Sequence, residues 1–257
     1  MIRYAVSLTM ISAMLVLSII SFAFGGDEIR VVHLAEESNW PPFTPDKSGY
    51  VTDGLSYDLM REIFSRLNIE IDLELFPLKR TLRYLREGRK DAVTVISKNA
   101  ERLEFIDYTV PIFQKKGLIY FLADREPPIE WRSYKNLRGF RLGITLGHNY
   151  GDEFNQAAIK YNLRLEQVRE VGLNFKKLLR DRIDALLCIE LTAQTFLKQP
   201  EYKGKIIHAS KPYYSKDYHI GFSKVTKAKT LIPRVNKVVQ QMKDDGVFQK
   251  IISRYTE

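Results

Sequence analysis

The segment Gly88 to Phe113 reads GRKDAVTVISKNAERLEFIDYTVPIF, and it decides the fold of this chain. Residues 91–96 (DAVTVI) are rich in β-branched side chains and predict a short buried strand. Small polar residues follow, and then a helical turn that carries Arg102. Because ligands of open α/β sheets usually bind at the ends of the strands, this layout predicts a binding site.

Arg102 is suited to bind an anion in that position. Its planar guanidinium offers five N–H donors and fits a carboxylate through two parallel hydrogen bonds, and the hydroxyl of Ser97 lies nearby. The spacing also fits a second interpretation, in which Arg102 forms a surface ion pair with an acidic neighbour. The acids within reach are Glu101, Glu104 and Asp107.

The residue pattern of the segment resembles that of family 3 of the bacterial extracellular solute-binding proteins, which serve polar amino-acid ABC transporters. The matching residues are Gly88, Asp91, Ser97, Arg102, Phe105, Asp107, Pro111 and Phe113. The resemblance implies an α/β protein with the periplasmic binding protein type II fold, in which a two-strand hinge joins two α/β lobes. It also implies that Arg102 and Ser97 bind the α-carboxylate of the ligand, with Val95 in the same pocket and no cofactor.

The N-terminus predicts export. Arg3 is the only charge ahead of an apolar run from Ala5 to Phe24, and small residues at 21–23 suit a signal peptidase. We expect residues 1–23 to be a cleaved signal peptide that directs the protein to the periplasm, with cleavage after Gly25 as the alternative. The run also has the length of an uncleaved membrane anchor.

The composition narrows the classes of function. The formal net charge is +9, but the basic residues are spread among acids and no nucleic-acid-binding motif occurs, so we expect no nucleic-acid partner. The charge instead favours capture of an anionic ligand or of a negative surface. Cys188 is the single cysteine and lies in an apolar run, which predicts a small buried side chain. The four histidines lack ligand spacing, so we expect no metal site.

The predicted elements follow one order twice. The first pass is β-α-β-α-β, at residues 29–35, 55–67, 69–76, 77–87 and 91–96. The second half of the chain begins with an extended stretch at residues 117–122. It continues with strands at residues 137–144, 163–171 and 183–189, and with helices after residue 150 and at residues 174–180. A last strand and two helices are predicted at residues 218–222, 230–242 and 247–255. This alternation predicts mostly parallel sheets with helices on their faces.

Two similar lobes joined by extended strands predict a clamp that closes over a small molecule. We expect lobe 1 to comprise residues 24–113 and 218–257, and lobe 2 residues 114–217, in a monomer. Further matches to the family extend along the mature chain. They are Trp40 to Phe43, Gly54 with Asp58 and Leu59, Leu137 to Gly147, Arg182 to Ala185, and Asp245 with Gly246.

Lobe 1 supplies three further candidates for the pocket. Trp40 precedes two prolines on a stiff loop, where its ring can stack on a ligand or close the edge of the core. Leu78 and Arg80 fall where the family lines its pocket. Arg80 is either a second anion-binding group or a solvated arginine at the start of a helix.

Lobe 2 supplies His148 and Asn149, which we expect at a helix N-terminus, where free N–H groups favour an anion. Members of the family commonly have small hydroxyl residues here, so the resemblance implies either a larger ligand or a ligand that is bound by different contacts. A plain capping role for Asn149 is the alternative.

The family also carries an aspartate that pairs with the α-ammonium of the ligand, and the matching residue here is Ile189. Glu190 is adjacent, but a shift of one residue on a strand turns a side chain to the other face. The ligand is therefore either a carboxylate without an α-amino group or an amine bound by another acid, such as Glu190, Glu36 or Glu37.

These observations predict a periplasmic binding protein that closes around a carboxylate-bearing molecule and delivers it to the permease subunits of a membrane importer. One alternative is an enzyme on the same fold, such as a dehydratase, for which Glu190 and His148 are the candidate acids. A second alternative is a soluble sensor that reports the ligand to a membrane receptor.

Overall fold

The computed structural model describes residues 28–45, 47–126 and 128–256. The predicted signal peptide, residues 1–23, lies outside the described residues. The described residues from Val31 onward form one compact unit.

Eleven strands of the described chain lie in one continuous sheet. Their bounds are β1 Val31–Glu37, β2 Gly49–Tyr50, β3 Glu70–Phe76, β4 Ala92–Ser97, β5 Ile106–Tyr108, β6 Phe113–Leu122, β7 Arg141–Thr145, β8 Arg164–Val168, β9 Ala185–Ile189, β10 Ile206–His208 and β11 Tyr214–Ser223. The strand order is β2-β3-β1-β4-β11-β6-β9-β7-β8, while β5 pairs with β11 and β10 with β6.

The sheet has two parallel halves joined by two antiparallel strands. In the first half β1 lies parallel to β3 and β4, and in the second β7 lies parallel to β8 and β9. Between them β6 pairs antiparallel with β11, from Tyr214 opposite Gly117 to Tyr218 opposite Phe113. The predicted fold is confirmed, with β6 and β11 as the hinge between lobe 1 and lobe 2. The residue boundaries of the lobes remain predictions.

Helices pack on both halves of this sheet. Those of the described chain are α1 Leu55–Ser65, α2 Leu78–Arg86, α3 Ala100–Leu103, α4 Asp152–Lys160, α5 Val171–Leu179, α6 Glu190–Leu197, α7 Ile232–Asp244 and α8 Val247–Thr256. In α1 the predicted apolar face is buried at Leu55, Leu59 and Ile63. No helix in the described part of the chain is long and apolar enough to cross a membrane.

Each lobe has buried apolar side chains around its strands. In lobe 2 they include Leu142, Phe154 and Leu187, and in lobe 1 a smaller cluster includes Val93 and Ile106. The central strands β4 and β9 are buried along their whole length and consist of nearly continuous apolar runs, whereas the outer strands β3 and β8 carry charged or polar side chains between their apolar ones.

Two predicted strands have other bounds in the structure, and one helix was not predicted. The strand predicted at residues 137–144 begins only at Arg141, since Ser133 and Asn136 form a capping box that starts a 3₁₀-helix at Tyr134–Leu137. Strand β1 continues to Glu37 through its full pairing with β3. Helix α6 was not predicted and begins at Glu190, directly after β9.

Asp184 fixes the start of the central strands of lobe 2. Its carboxylate accepts hydrogen bonds from the backbone N–H and the guanidinium of Arg141, at 2.6 to 3.1 Å, and from Arg125 at 3.0 Å. Burial raises the pKa of Asp184, but the bonds from Arg141 outweigh this effect and hold the pKa below its usual value. The carboxylate therefore stabilises the folded state.

We expect Asp184→Asn to lower the free energy of unfolding by about 2 to 4 kcal/mol, because it leaves the two arginines without their buried anion. Asp181→Asn is the matched control, since that side chain is 74% exposed and its bond to Arg141 is 3.5 Å long. Urea unfolding of both variants measures the difference. Equal stabilities would contradict the assigned role of Asp184.

Candidate functional site

Arg102 lies between the two lobes and is 4% exposed. Helix α3 presents it, and the side chain of Asn99 caps this short helix by accepting the backbone N–H of Arg102 at 2.8 Å. Its Nη1 donates to the carbonyl and the hydroxyl of Ser97, at 3.0 and 3.2 Å. Burial lowers the pKa of Arg102. The surface ion pair considered as the alternative does not form, since the guanidinium is buried.

The second arm of the guanidinium reaches lobe 2. Nη2 of Arg102 donates to the carbonyl of Gly147 at 3.1 Å. Gly147 adopts φ +86°, a region that favours glycine, and a Cβ at this position would meet Leu78 at 3.4 Å. The backbone conformation therefore favours glycine here, whereas the contact of a Cβ with Leu78 would be an ordinary one.

The loop after Gly147 makes two more contacts with lobe 1. His148 Nε2 lies 2.8 Å from both carboxylate oxygens of Glu37. The amide of Asn149 donates to the hydroxyl of Ser97 at 3.2 Å and to the carbonyl of Lys98 at 3.0 Å. Helix α4 begins at Asp152, so neither His148 nor Asn149 occupies the predicted helix N-terminus.

Glu36 is buried in the floor of the cleft and is 1% exposed. Its carboxylate accepts hydrogen bonds from the hydroxyl of Thr94 and from the backbone N–H groups of Val95 and Glu37. Burial raises the pKa of Glu36 to about 7, although the bond from Thr94 acts in the opposite direction. Glu36 is therefore a buried acid whose protonation changes near neutral pH.

The aromatic wall of the cleft begins at Trp40. Thr44 fixes this turn, because its hydroxyl accepts the N–H of Trp40 at 3.1 Å and donates to the carbonyl of Glu37 at 2.7 Å. Tyr214 and Tyr218 also line the cleft, with their hydroxyl oxygens 3.4 Å apart. Among the described residues, the buried indole nitrogen of Trp40 has no hydrogen-bond partner, so its N–H is free to donate to a polar atom of a ligand.

Lys115 lies behind this wall, on hinge strand β6. Its ammonium is buried and sits 3.3 to 4.9 Å from the centroids of four aromatic rings. The rings belong to Trp40, Phe43, Phe113 and Tyr218. Burial lowers the pKa of Lys115 well below its usual value, whereas the charges of Glu36 and Glu37 raise it. Within the described residues the ammonium has no hydrogen-bond partner, so ring faces provide its direct contacts.

These groups enclose a cleft between the lobes. Seven of the nine predicted site residues line it, namely Trp40, Leu78, Val95, Ser97, Arg102, His148 and Asn149. Ile189 and Cys188 form an apolar part of the lining, and burial raises the pKa of the Cys188 thiol. The position expected to carry an acid for an α-ammonium therefore presents hydrocarbon.

The two other predicted residues lie elsewhere. Arg80 is exposed on α2. Glu190 begins α6 and lines a separate pocket behind the hinge, together with Leu55 and Ile252. The chain leaves strand geometry at Ile189, so Glu190 does not replace the missing acid in the cleft.

From the sequence, Glu36 and Glu37 were candidates only as alternative acids, and neither Lys115 nor the tyrosines of the cleft were predicted. A signal for Lys115 exists in the sequence of β6. Residues 113, 115 and 117 share one face of that strand, and this places a lysine beside Phe113 where an apolar side chain is usual. In the described residues no group of three or more His, Cys, Asp or Glu could hold a metal ion.

A cleft between two α/β lobes, with a buried arginine at their junction, defines a ligand-binding clamp. The chain belongs to the bacterial extracellular solute-binding proteins, family 3, whose sequence profile matches residues 32–257.

Curated relatives cover most of the chain. It is 27% identical to a probable histidine-binding protein of Campylobacter jejuni, over 84% of this chain and 81% of the relative. It is 22% identical to the histidine-binding periplasmic protein of Escherichia coli K12, over 87% of this chain and 86% of the relative.

Solved structures share the fold. An ancestral arginine-binding protein bound to arginine has a TM-score of 0.77 at 21% identity, with 89% of this chain and 99% of that chain covered. An ancestral amino acid-binding protein that is a precursor of cyclohexadienyl dehydratase has a TM-score of 0.73 at 18% identity, with 89% and 96% covered.

The buried acid predicts a pH dependence of stability. Glu36 loses its proton near pH 4.5 in the unfolded chain and near pH 7 in the folded protein, so the folded state binds more protons between these values. The stability contributed by the protonated group is therefore lost as the pH rises through this window. We expect Glu36→Gln to reduce that decline, measured by urea unfolding from about pH 5 to about pH 8.

The control for this experiment is Glu70→Gln, which changes an exposed acid at the start of β3. It should leave the pH dependence of unfolding as it is in the unmodified protein. If Glu36→Gln showed the same pH profile as that control, Glu36 would not be the titrating group.

Proposed function

We propose that this protein binds one small carboxylate-bearing molecule, an amino acid or a related organic acid, and delivers it to an ABC-type importer. The observation that carries the proposal is Arg102, a buried guanidinium at the junction of the lobes with Ser97 beside it. A buried cation without a counter-ion in direct contact is costly, and a bound carboxylate removes that cost. The names of the histidine- and arginine-binding relatives support an amino-acid-like ligand.

In this mechanism, closure of the lobes assembles the site. Arg102 and Ser97 come from lobe 1, while Gly147, His148 and Asn149 come from lobe 2. The ligand carboxylate takes the N–H donors of Arg102 that face the cleft, and the ring of Trp40 covers the rest of the molecule. Bound ligand therefore favours the closed arrangement, which the importer then recognises.

The setting proposed for this activity is the periplasm, which the protein reaches as a monomer through removal of residues 1–23. The partners are the permease subunits of the importer. We further propose that binding occurs without catalysis. Of the two acids named for an enzyme, Glu190 lies outside the cleft and His148 pairs with Glu37. Turnover of prephenate by the purified protein would contradict this part of the proposal.

Arg102→Ala is expected to weaken ligand binding by roughly 100-fold or more, because it removes a charge-assisted bidentate contact. Isothermal titration calorimetry across amino acids and organic acids measures the affinity, after native mass spectrometry of the purified protein has identified any retained ligand.

Arg80→Ala is the matched control, since it removes an arginine from α2 outside the cleft and should change the affinity by less than about twofold. Circular dichroism checks that both variants fold. Undiminished binding by folded Arg102→Ala would show that the anion site is elsewhere.

A further inference from the structure

A second cavity opens beside the cleft, at the edge of hinge strand β11. It is wide open to solvent, and its walls include Lys98, which is exposed, Lys216, which is half-buried, Tyr108 and Asp217. Asn149 stands at the border between the two cavities. Its amide donates to Ser97 on the cleft side and to the carbonyl of Lys98 on the other, and its oxygen lies 3.4 Å from Nζ of Lys216.

Two lysines face this cavity without a paired acid. Lys98 contacts the ring of Tyr108, with Nζ 5.4 Å from the centroid, and Lys216 contacts Asn149. Among the described residues, neither ammonium has a carboxylate within 4.0 Å. Burial lowers the pKa of Lys216, as does the charge of Arg102, whereas Asp152 and Glu153 raise it. Lys216 is thus close enough to Arg102 for the two cations to repel each other.

The remaining wall of the cavity fits an anion as well. The hydroxyl of Tyr108 is buried and has no hydrogen-bond partner among the described residues. Asp217, the acid in the wall, is exposed and accepts a bond from Gln114 at 3.4 Å. His219 Nδ1 is engaged with the carbonyl of Thr109 at 2.8 Å, so it adds no free acceptor on that nitrogen.

The acids of the inner cleft already have partners within the protein, so they do not need a cationic group on the ligand. Glu37 lies against His148 at 2.8 Å, and Glu36 accepts three hydrogen bonds near the ammonium of Lys115. Ile189 presents hydrocarbon where an acid was expected. Within the described residues, Arg102, Lys98 and Lys216 therefore form no salt bridge, although the charges of Asp152 and Glu153 act on Lys216 from a distance.

We propose that the ligand carries two acidic groups, one bound by Arg102 in the cleft and the second by Lys98 and Lys216 in the adjoining cavity. This inference rests on the proposed function and adds the chemical class of the ligand. Lys98 follows β4 in lobe 1, and Lys216 lies on the hinge beside the Asn149 loop of lobe 2. The second subsite is therefore complete only when the lobes close. Binding of a diacid consequently stabilises the closed arrangement.

The test compares acids that differ by one charge. Glutamate against glutamine, and succinate, glutarate and adipate against the monocarboxylates of the same chain length, are titrated by calorimetry. We expect at least one diacid to bind roughly tenfold or more tightly than its partner. In Lys98→Gln/Lys216→Gln this ratio should fall to about one, because the second acid then gains no charge-assisted contact.

Lys203→Gln/Lys211→Gln is the control, since it removes the same charge from two exposed lysines elsewhere and should preserve the ratio. The proposal is overturned if no diacid binds more tightly than its partner, or if both double variants lower the ratio equally. Loss of binding in Arg102→Ala with an unchanged ratio in Lys98→Gln/Lys216→Gln would overturn the second subsite alone. Binding that ignores Arg102 would instead contradict the proposed function.

Discussion

The buried guanidinium of Arg102 is the interaction on which the rest of the site depends. One arm donates to Ser97 in lobe 1 and the other to the carbonyl of Gly147 in lobe 2, so a single side chain spans the junction of the lobes. Burying a cation at this place is costly unless an anion accompanies it. The same group can therefore bind a carboxylate and link that binding to closure.

The other buried charges of the cleft are arranged so that each has compensation within the protein. Glu37 faces His148, while Glu36 is held by Thr94 and two backbone N–H groups. The ammonium of Lys115 contacts aromatic ring faces in place of hydrogen-bond acceptors, and these rings form a cage around it. Trp40 and Tyr218 belong both to this cage and to the cleft wall. Hinge, cage and cleft are therefore packed as one unit, and a change in any of them alters the binding surface.

The fold could be predicted because the central strands are apolar runs and the strands and helices alternate in a fixed order, and the opening segment located Arg102 and Ser97. It did not predict the charged interior, since Glu36, Glu37 and Lys115 become neighbours only through pairing and packing between distant segments. Glu190 shows the same limit. It lies one residue beyond a correctly predicted strand, but the chain turns into α6 there and carries the carboxylate away from the cleft. The apolar residues of a strand can be recognised in the sequence, whereas the direction that the chain takes after the strand cannot be predicted from it.

A crystal structure of the protein with its retained or titrated ligand shows whether Arg102 binds the carboxylate. We expect a ligand carboxylate about 2.7 to 3.1 Å from the guanidinium nitrogens of Arg102, with Ser97 beside it and the lobes closed. A ligand bound in the cleft with its carboxylate away from Arg102, while the guanidinium contacts only protein, would contradict it.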